Sequence, residues 1–477
     1  MSALSAAAVL AAPTATALAE ATLERPPEKS SERLQDHPNI IVILADDMGY
    51  GDLSVQGAKD ISTTHIDALA AQGVRLTDYY ANQPVCAPSR AGLMTGRYQE
   101  RFGFETNPGA EQRTSTSFGL PRDHKTLPER LKDLGYATGM VGKWHMGFTP
   151  TNQPTARGFD SFFGFLDGAM AYVPGGNGGK ALMRGTQPAP MVAHTTEAFT
   201  DEAVKFIDAN KDRPFFLYEA YNAVHAPLQS TKAYLDRFAS EKDPKRRTHL
   251  AMVAALDEGV GKIVEAVDRA GLSKKTLIVF ISDNGGPTWQ TTSSNGPLNG
   301  VKDLTLEGGI RVPAIFRWPG RLPQGKVVHS MAMEFDVTAT ALALAGAHAD
   351  PIIEGRNLMP YLTGAKTGDV HERLFWRMGP QAAERQGSWK LVKAEDAYWL
   401  FDLSHDIGEH HDLATANPAK MKQMRAEFDA WSAQMATPQW EARIDKAPEG
   451  KLKTLVSNYI KGLPVEPREL LYGGGPE

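Results

Sequence analysis

Past residue 36, short apolar runs alternate with stretches whose apolar residues recur every three or four positions. "NIIVILAD" (39–46), "ATGMVGKW" (137–144), "PFFLYEAYN" (214–222), "TLIVFISD" (276–283) and "VPAIFRW" (312–318) are rich in β-branched and aromatic residues and have turn residues nearby. Apolar runs of this kind predict strands covered on both faces. Between them, the clearest amphipathic stretch is 246–269, where Leu250, Val253, Leu256, Val260, Ile263 and Val267 recur at helical spacing. Strand and helix in alternation predict a layered α/β core, which we place at 36–365. After about residue 365 the pattern changes to a strand-like cluster, "RLFWRM", "SWKLVKA" and "YWLFDL", followed by a helical segment near 416–436. That part, 366–477, predicts a smaller α+β subdomain packed on the first.

Polar residues concentrate where the predicted strands end. "LADDMGYGD" puts Asp46 and Asp47 after the first strand, and "ISDNGG" puts Asp283 and Asn284 after another. Ligands bind at strand ends in open α/β sheets. One isolated pair reads as a helix cap or a turn. Two oxygen-only pairs suit a hard divalent cation, Ca²⁺ or Mg²⁺, and His or Cys clusters at zinc spacing are missing. A second group is basic: Lys143 and His145 in "GKWHMG", His225 in "NAVHAPL", Lys302 in "GVKDLTLEGG", and Arg90 in "VCAPSR". A lone histidine before a proline is usually structural. Several such groups at separate loop positions beside a metal describe a pocket for an oxyanion.

Composition narrows the partners. With 22% charged residues and a net charge of −5, acids and bases interspersed, nothing predicts a nucleic-acid or membrane surface, which would need a basic stripe. The alanine-rich start, 1–19, reads as the later part of an export signal with "ALA" at 17–19 before Glu20, and 20–35 as a polar linker. No Lys or Arg precedes its apolar stretch and Pro13 interrupts it, so a flexible alanine-rich tail is the alternative. The first reading makes the protein exported, to a bacterial periplasm or outside the cell. Cys86 is the sole cysteine, which excludes an internal disulfide. It reads as an inert core thiol, as a thiolate activated by Arg90, or as a precursor converted into another group.

The sequence "CAPSRAGLMTGR" (86–97) resembles the signature C-x-P-S-R-x-x-L-x-T-G of the formylglycine-dependent type I sulfatases of the alkaline phosphatase superfamily, at every fixed position. The resemblance extends to "PNIIVILADDMGYGD", "HIDALAAQGVRLTDYY", "GKWHMG", "SDNGG", "EGGIRVP" (307–313) and "LFDLSHDIGEHHDLA" (400–414). It implies an alkaline-phosphatase-like fold, a large mixed sheet sandwiched by helices with a small antiparallel sheet in the C-terminal subdomain. It also implies that a maturation enzyme oxidises Cys86 to Cα-formylglycine. The hydrated aldehyde attacks a sulfate ester, and the covalent sulfate is then eliminated through its second hydroxyl.

By the same resemblance, Asp46, Asp47, Asp283 and Asn284, with residue 86, hold one Ca²⁺. Arg90 and Lys143 orient the nucleophile, His145 is the base of elimination, and His225 with Lys302 contacts the sulfate and protonates the leaving oxygen. The stretch "GRYQERFGFETNPG" (96–109) resembles sulfatases acting on carbohydrates such as carrageenan. The alternatives are a broad arylsulfatase, a phosphodiesterase or phosphonate monoester hydrolase of the same superfamily, and a non-catalytic binder of sulfated glycans. The stretch 166–185 departs from the family pattern near Met170 to Tyr172, where a histidine often stands. Trp376 and Arg377 read either as a sugar contact or, for Trp376, as strand core.

Overall fold

The computed structural model describes residues 37–175, 182–465 and 467. The expected signal and linker, 1–35, the middle of 166–185 and the end of the C-terminal tail lie outside the described residues. Strands β1 (Asn39–Ala45), β2 (Val74–Leu76), β3 (Tyr79–Tyr80), β4 (Ala137–Lys143), β5 (Ser161–Phe165), β6 (Leu182–Arg184), β7 (Gln187–Ala189), β8 (Phe215–Ala220), β9 (Thr276–Ser282), β10 (Ala314–Arg317), β11 (Lys326–Val328) and β12 (Ala332–Met333) come first. They are followed by β13 (Leu374–Met378), β14 (Gln381–Gln386), β15 (Trp389–Ala394) and β16 (Ala397–Asp402).

Ten of them form one mixed sheet in the order β11-β2-β10-β9-β1-β8-β4-β5-β6-β7, while β12 pairs with β3. At its centre β9, β1, β8, β4 and β5 run parallel. The apolar runs are continuous because both faces are covered. Ile40, Val42 and Leu44 pack toward the helices Cys86–Thr95 and Phe335–Leu344, whereas Ile41, Ile43 and Ala45 pack toward Thr195–Asn210 and Pro244–Arg269. The last of these helices begins on Asp243, whose Oδ1 accepts from the Lys245 N–H at 2.9 Å, and fills the predicted amphipathic stretch. "VPAIFRW" does form a strand, β10, but it runs antiparallel to β9; the composition of a doubly covered strand carries no sign of its direction.

Parallel strands share one carboxyl edge. Asp46 and Asp47 follow β1, Asp283 and Asn284 follow β9, Lys143 ends β4, and the turn after β8 leads to His225, so the fold gathers side chains from four distant segments.

The second sheet is antiparallel in the order β13-β14-β15-β16 and packs against the helix Pro418–Ser432. Strand β14, "QAAERQ", was not expected, having only two alanines as apolar residues. Trp376 lies in the core as part of β13: its indole is fully buried on Tyr80 and its Nε1–H donates to the Ala81 carbonyl at 2.9 Å. Arg377 is spent on Glu105, at 2.5 and 3.1 Å, and on the carbonyls of Ser432 and Ala436. Trp376 thus takes the strand-core reading, and the guanidinium of Arg377 is engaged by Glu105 and two carbonyls. Among the described residues, no helix is long and apolar enough to cross a membrane.

A buried carboxyl on β14 makes stability depend on pH. Burial, and then the charge of Glu427, pushes Glu384 up to about 8 from an ordinary 4.5. Between those values the folded chain holds a proton the unfolded chain has lost, so the stabilisation is full below the ordinary value and disappears as pH rises through about 8. Glu384→Gln should therefore raise the melting temperature more at about pH 9 than at about pH 5. Equal shifts in thermal melts at both pH values would count against a protonated Glu384.

Candidate active site

Cys86 is the first residue of a buried ten-residue helix, with Val85 as the extended residue before it. The positive end of the helix dipole thus lies at residue 86, where anionic groups are favoured. The Ala87 N–H at this end donates to Asn107 Oδ1 at 2.9 Å. The thiol donates to Asp46 Oδ1 at 3.5 Å and lies 4.0 Å from Asp47 Oδ1. Burial pushes it well above the ordinary thiol range; Lys143 and Lys302 pull against that, and Asp283 and Asp46 add to it. A protonated thiol facing two carboxylates is a poor nucleophile, which argues against the thiolate reading.

Charge alternates around it. Lys143 Nζ stands 2.7 Å from Asp46 Oδ2, and Lys302 Nζ stands 2.9 Å from Asp47 Oδ1. Arg90, one turn into the helix, donates to Asp283 Oδ2 through Nε (2.9 Å) and Nη2 (2.7 Å), and to the Lys143 carbonyl through Nη1 at 2.9 Å. The Asp47 N–H donates to Asp283 Oδ1 at 3.2 Å. Burial alone would raise Asp46, but Lys143, His225, Arg90 and Lys302 hold it well below the usual carboxylate range. Asp283 is driven the other way, to about 6, by burial and by Asp46 beside it, although Arg90 opposes this.

Such crowding of acids fits a cation. The ligand atoms of Asp46, Asp47, Cys86 and His225 lie within 4.8 Å of one another. Asn284 donates its Nδ2 to Asp47 Oδ1 at 2.7 Å, while its buried Oδ1 has no hydrogen-bond partner. An orphaned oxygen beside crowded carboxylates is a donor set for a hard metal ion. Asp283 lies outside the tight group, and its oxygens accept from Arg90 and the Asp47 amide.

The two histidines differ. His225 Nδ1 lies 2.6 Å from the Ala226 carbonyl, which can only accept, so Nδ1 carries a proton and Nε2 points toward Asp47 at 3.6 Å. Tyr172 fixes the same turn, donating from its hydroxyl to the carbonyls of Asn222 and of His225. His145 is buried, with no partner for Nδ1, and burial followed by the charges of Lys143 and Arg90 holds it well below its ordinary range, hence neutral. Gly168 makes room for it: a Cβ there would come 2.6 Å from Nε2. Asp47 (φ 63°) and His145 (φ 61°) both adopt the left-handed conformation, a strain that clusters at functional sites.

All ten expected residues thus lie in one buried constellation, nine of them linked by close contacts and His145 within the same charge field. Sequence reading missed the layer that supports them. Glu334 accepts from the Ser89 hydroxyl at 2.5 Å and from Asn82, bracing the helix of Cys86 from 245 residues away. Nothing near Glu334 in sequence announces that contact. Asn107 was within reach, since it stands in the quoted stretch 96–109.

The class that this fold and site define is also what comparison finds. The family model "Sulfatase" matches residues 38–347, and that of "N-sulphoglucosamine sulphohydrolase, C-terminal" matches 301–434. Canis lupus familiaris N-acetylgalactosamine-6-sulfatase is 35% identical over 356 residues, covering 70% of this chain and 67% of its own. Homo sapiens arylsulfatase A is 31% identical over 458 residues, covering 82% and 88%. The crystal structure of Ps i-CgsB in complex with k-i-k-neocarrahexaose superposes with a TM-score of 0.80 at 36% identity, over 90% of this chain and 98% of that one. The chain belongs to the sulfatase family and is a sulfuric ester hydrolase.

Proposed function

We propose that the enzyme removes sulfate from sulfated carbohydrates, of the carrageenan kind, with residue 86 matured to Cα-formylglycine and one Ca²⁺ held at the strand ends. The observation that carries the reading is the placement of Cys86, a protonated thiol at a helix N-terminus, between two carboxylates and within a ring of Lys143, Lys302, Arg90 and His225. The carbohydrate part is supported by the similarity to Ps i-CgsB, crystallised with a carrageenan oligosaccharide, over nearly its whole length.

Asp46, Asp47 and Asn284, with residue 86, would hold the ion, and Asp283 would join them with the oxygens that now accept from Arg90 and the Asp47 amide; the ion would supply positive charge beside the sulfate. Hydrated formylglycine supplies one hydroxyl to receive the sulfuryl group and a second to release it. Arg90, fixed by Asp283 and the Lys143 carbonyl, orients the residue 86 end of the helix. Lys143 and Lys302 bring ammonium groups to the sulfate. His225, its Nδ1–H tied to Ala226, gives up the Nε2 proton of its cationic form to the leaving oxygen. His145, held neutral, takes the proton whose loss drives release. A formylglycine-generating enzyme is the maturation partner, and export to a bacterial periplasm or beyond completes the proposal. So does the division into a catalytic part, 36–365, and a C-terminal part, 366–477.

The test is a substrate panel, using protein co-expressed with a maturation enzyme. kcat/KM should be highest for sulfated carrageenan oligosaccharides, lower for an aryl sulfate, and lowest for phosphodiesters and phosphonate monoesters. An aryl sulfate preferred over every sugar sulfate would favour the broad arylsulfatase. Preference for the phosphorus esters would overturn the reading.

A further inference from the structure

The backbone that carries Lys302 is built by two parts of the chain. On one side, the Asp303 N–H donates to the Pro84 carbonyl at 2.9 Å, two residues before Cys86. On the other side stands Gln381, the first residue of β14, whose side chain is almost fully buried. Its Oε1 accepts from the Thr305 N–H at 3.0 Å and its Nε2 donates to the Asp303 carbonyl at 2.5 Å. The Thr305 hydroxyl adds a bond to the Ala382 carbonyl at 3.3 Å. Further along the loop, the Glu307 N–H donates to Glu409 Oε2 at 2.7 Å, and Lys390 lies between the two acids at 2.9 and 2.7 Å. The segment after Lys302 is thus gripped twice by the C-terminal region.

Asp303 needs this grip. It adopts φ 74°, a conformation that costs a residue with a side chain and persists only where surrounding contacts impose it. The side-chain amide of Gln381 binds Asp303 and Thr305 as the backbone of a neighbouring strand would, with one acceptor and one donor. The demand on it is chemical. Lys302 has a flexible four-carbon stem and its ammonium now rests on Asp47. To contact a sulfate it must divide its bonds between carboxylate and substrate, and its reach is then set by the loop backbone.

We propose that Gln381 is a positioning residue for Lys302, so that a side chain of the C-terminal sheet fixes one of the groups that hold the sulfate. This rests on the reading that Lys302 contacts sulfate, and the test separates the two. In the matured full chain, Gln381→Ala should lower kcat/KM for a sugar sulfate by on the order of 10- to 10²-fold, the scale of a misplaced catalytic group. It should also weaken the rise in melting temperature produced by inorganic sulfate. The decisive comparison is the double variant: Gln381→Ala with Lys302→Ala should be no worse than Lys302→Ala alone in either readout, because both changes remove one function.

Losses that multiply would show a merely structural Gln381 and overturn the proposal. So would a normal Gln381→Ala enzyme beside an impaired Lys302→Ala one. A Lys302→Ala enzyme with unchanged turnover and sulfate response would instead overturn the role of Lys302, and the proposal with it. Should the alanine at 381 fail to fold, Gln381→Met carries the same cycle. It fills a similar volume but can neither accept from the Thr305 N–H nor donate to the Asp303 carbonyl, so the same non-additive loss is expected.

Discussion

Cys86→Ser is expected to abolish multiple turnover of sulfate esters while the chain folds as before. The side chain is fully buried at the first position of its helix, and exchanging sulfur for oxygen there is a small change of volume, so thermal unfolding should shift little. The chemistry changes far more. A serine hydroxyl facing Asp46, Lys143 and Lys302 could accept a sulfuryl group once, but it has no second oxygen from which to expel it. Peptide mass analysis of active protein should find an aldehyde in place of the thiol at residue 86. An aldehyde-reactive hydrazine should label that residue in the active protein and leave Cys86→Ser untouched. A serine variant that turns over repeatedly at the normal rate would eliminate the formylglycine reading altogether.

The site was legible because its parts sit at the ends of strands buried on both faces. "NIIVILAD" and "TLIVFISD" are continuous apolar runs broken by acids, so the sequence marks both the strand and the point where the sheet edge begins. The helical stretch in 246–269 was equally plain, since its apolar residues recur at helical spacing, although residues 249–257 are buried on every side by the sheet and neighbouring helices. What could not be read depends on contacts between distant segments.

Strand β14 offers only two alanines and four polar residues, and three of those are buried by partners elsewhere: Gln381 by the Lys302 loop, Glu384 by Glu427, and Arg385 by Asp78. A polar residue that finds its partner across the fold looks in sequence like a residue bound for solvent. Glu334 escaped for the same reason. Trp376 shows the converse, because an indole suits a sugar face and a core equally well, and its hydrogen bond to Ala81 decides for the core.

The two histidines should separate by substrate. If His225 protonates the leaving oxygen, His225→Ala must cost most where the leaving group is a sugar alkoxide, a strong base that departs poorly without a proton. It should cost far less for an activated aryl sulfate, which leaves readily as its phenolate. General acid catalysis is worth on the order of 10²- to 10⁴-fold, so the ratio of the two losses should be plain in kcat/KM. The fixed Nδ1–H bond to Ala226 makes Nε2 the only proton that ring can deliver. Equal losses on both substrates would remove His225 from this role.

If His145 is the base of release, it acts on the other half of the cycle, where the leaving group has already gone, so the identity of the ester should not matter to it. Its neutral ring, held so by burial and by Lys143 and Arg90, is poised to take a proton. His145→Ala should therefore release a stoichiometric burst of phenol from an aryl sulfate at near the normal rate and then slow sharply. Sugar sulfates should show the same slow steady state. A variant whose first turnover is as slow as its later ones would assign the base of release to another residue.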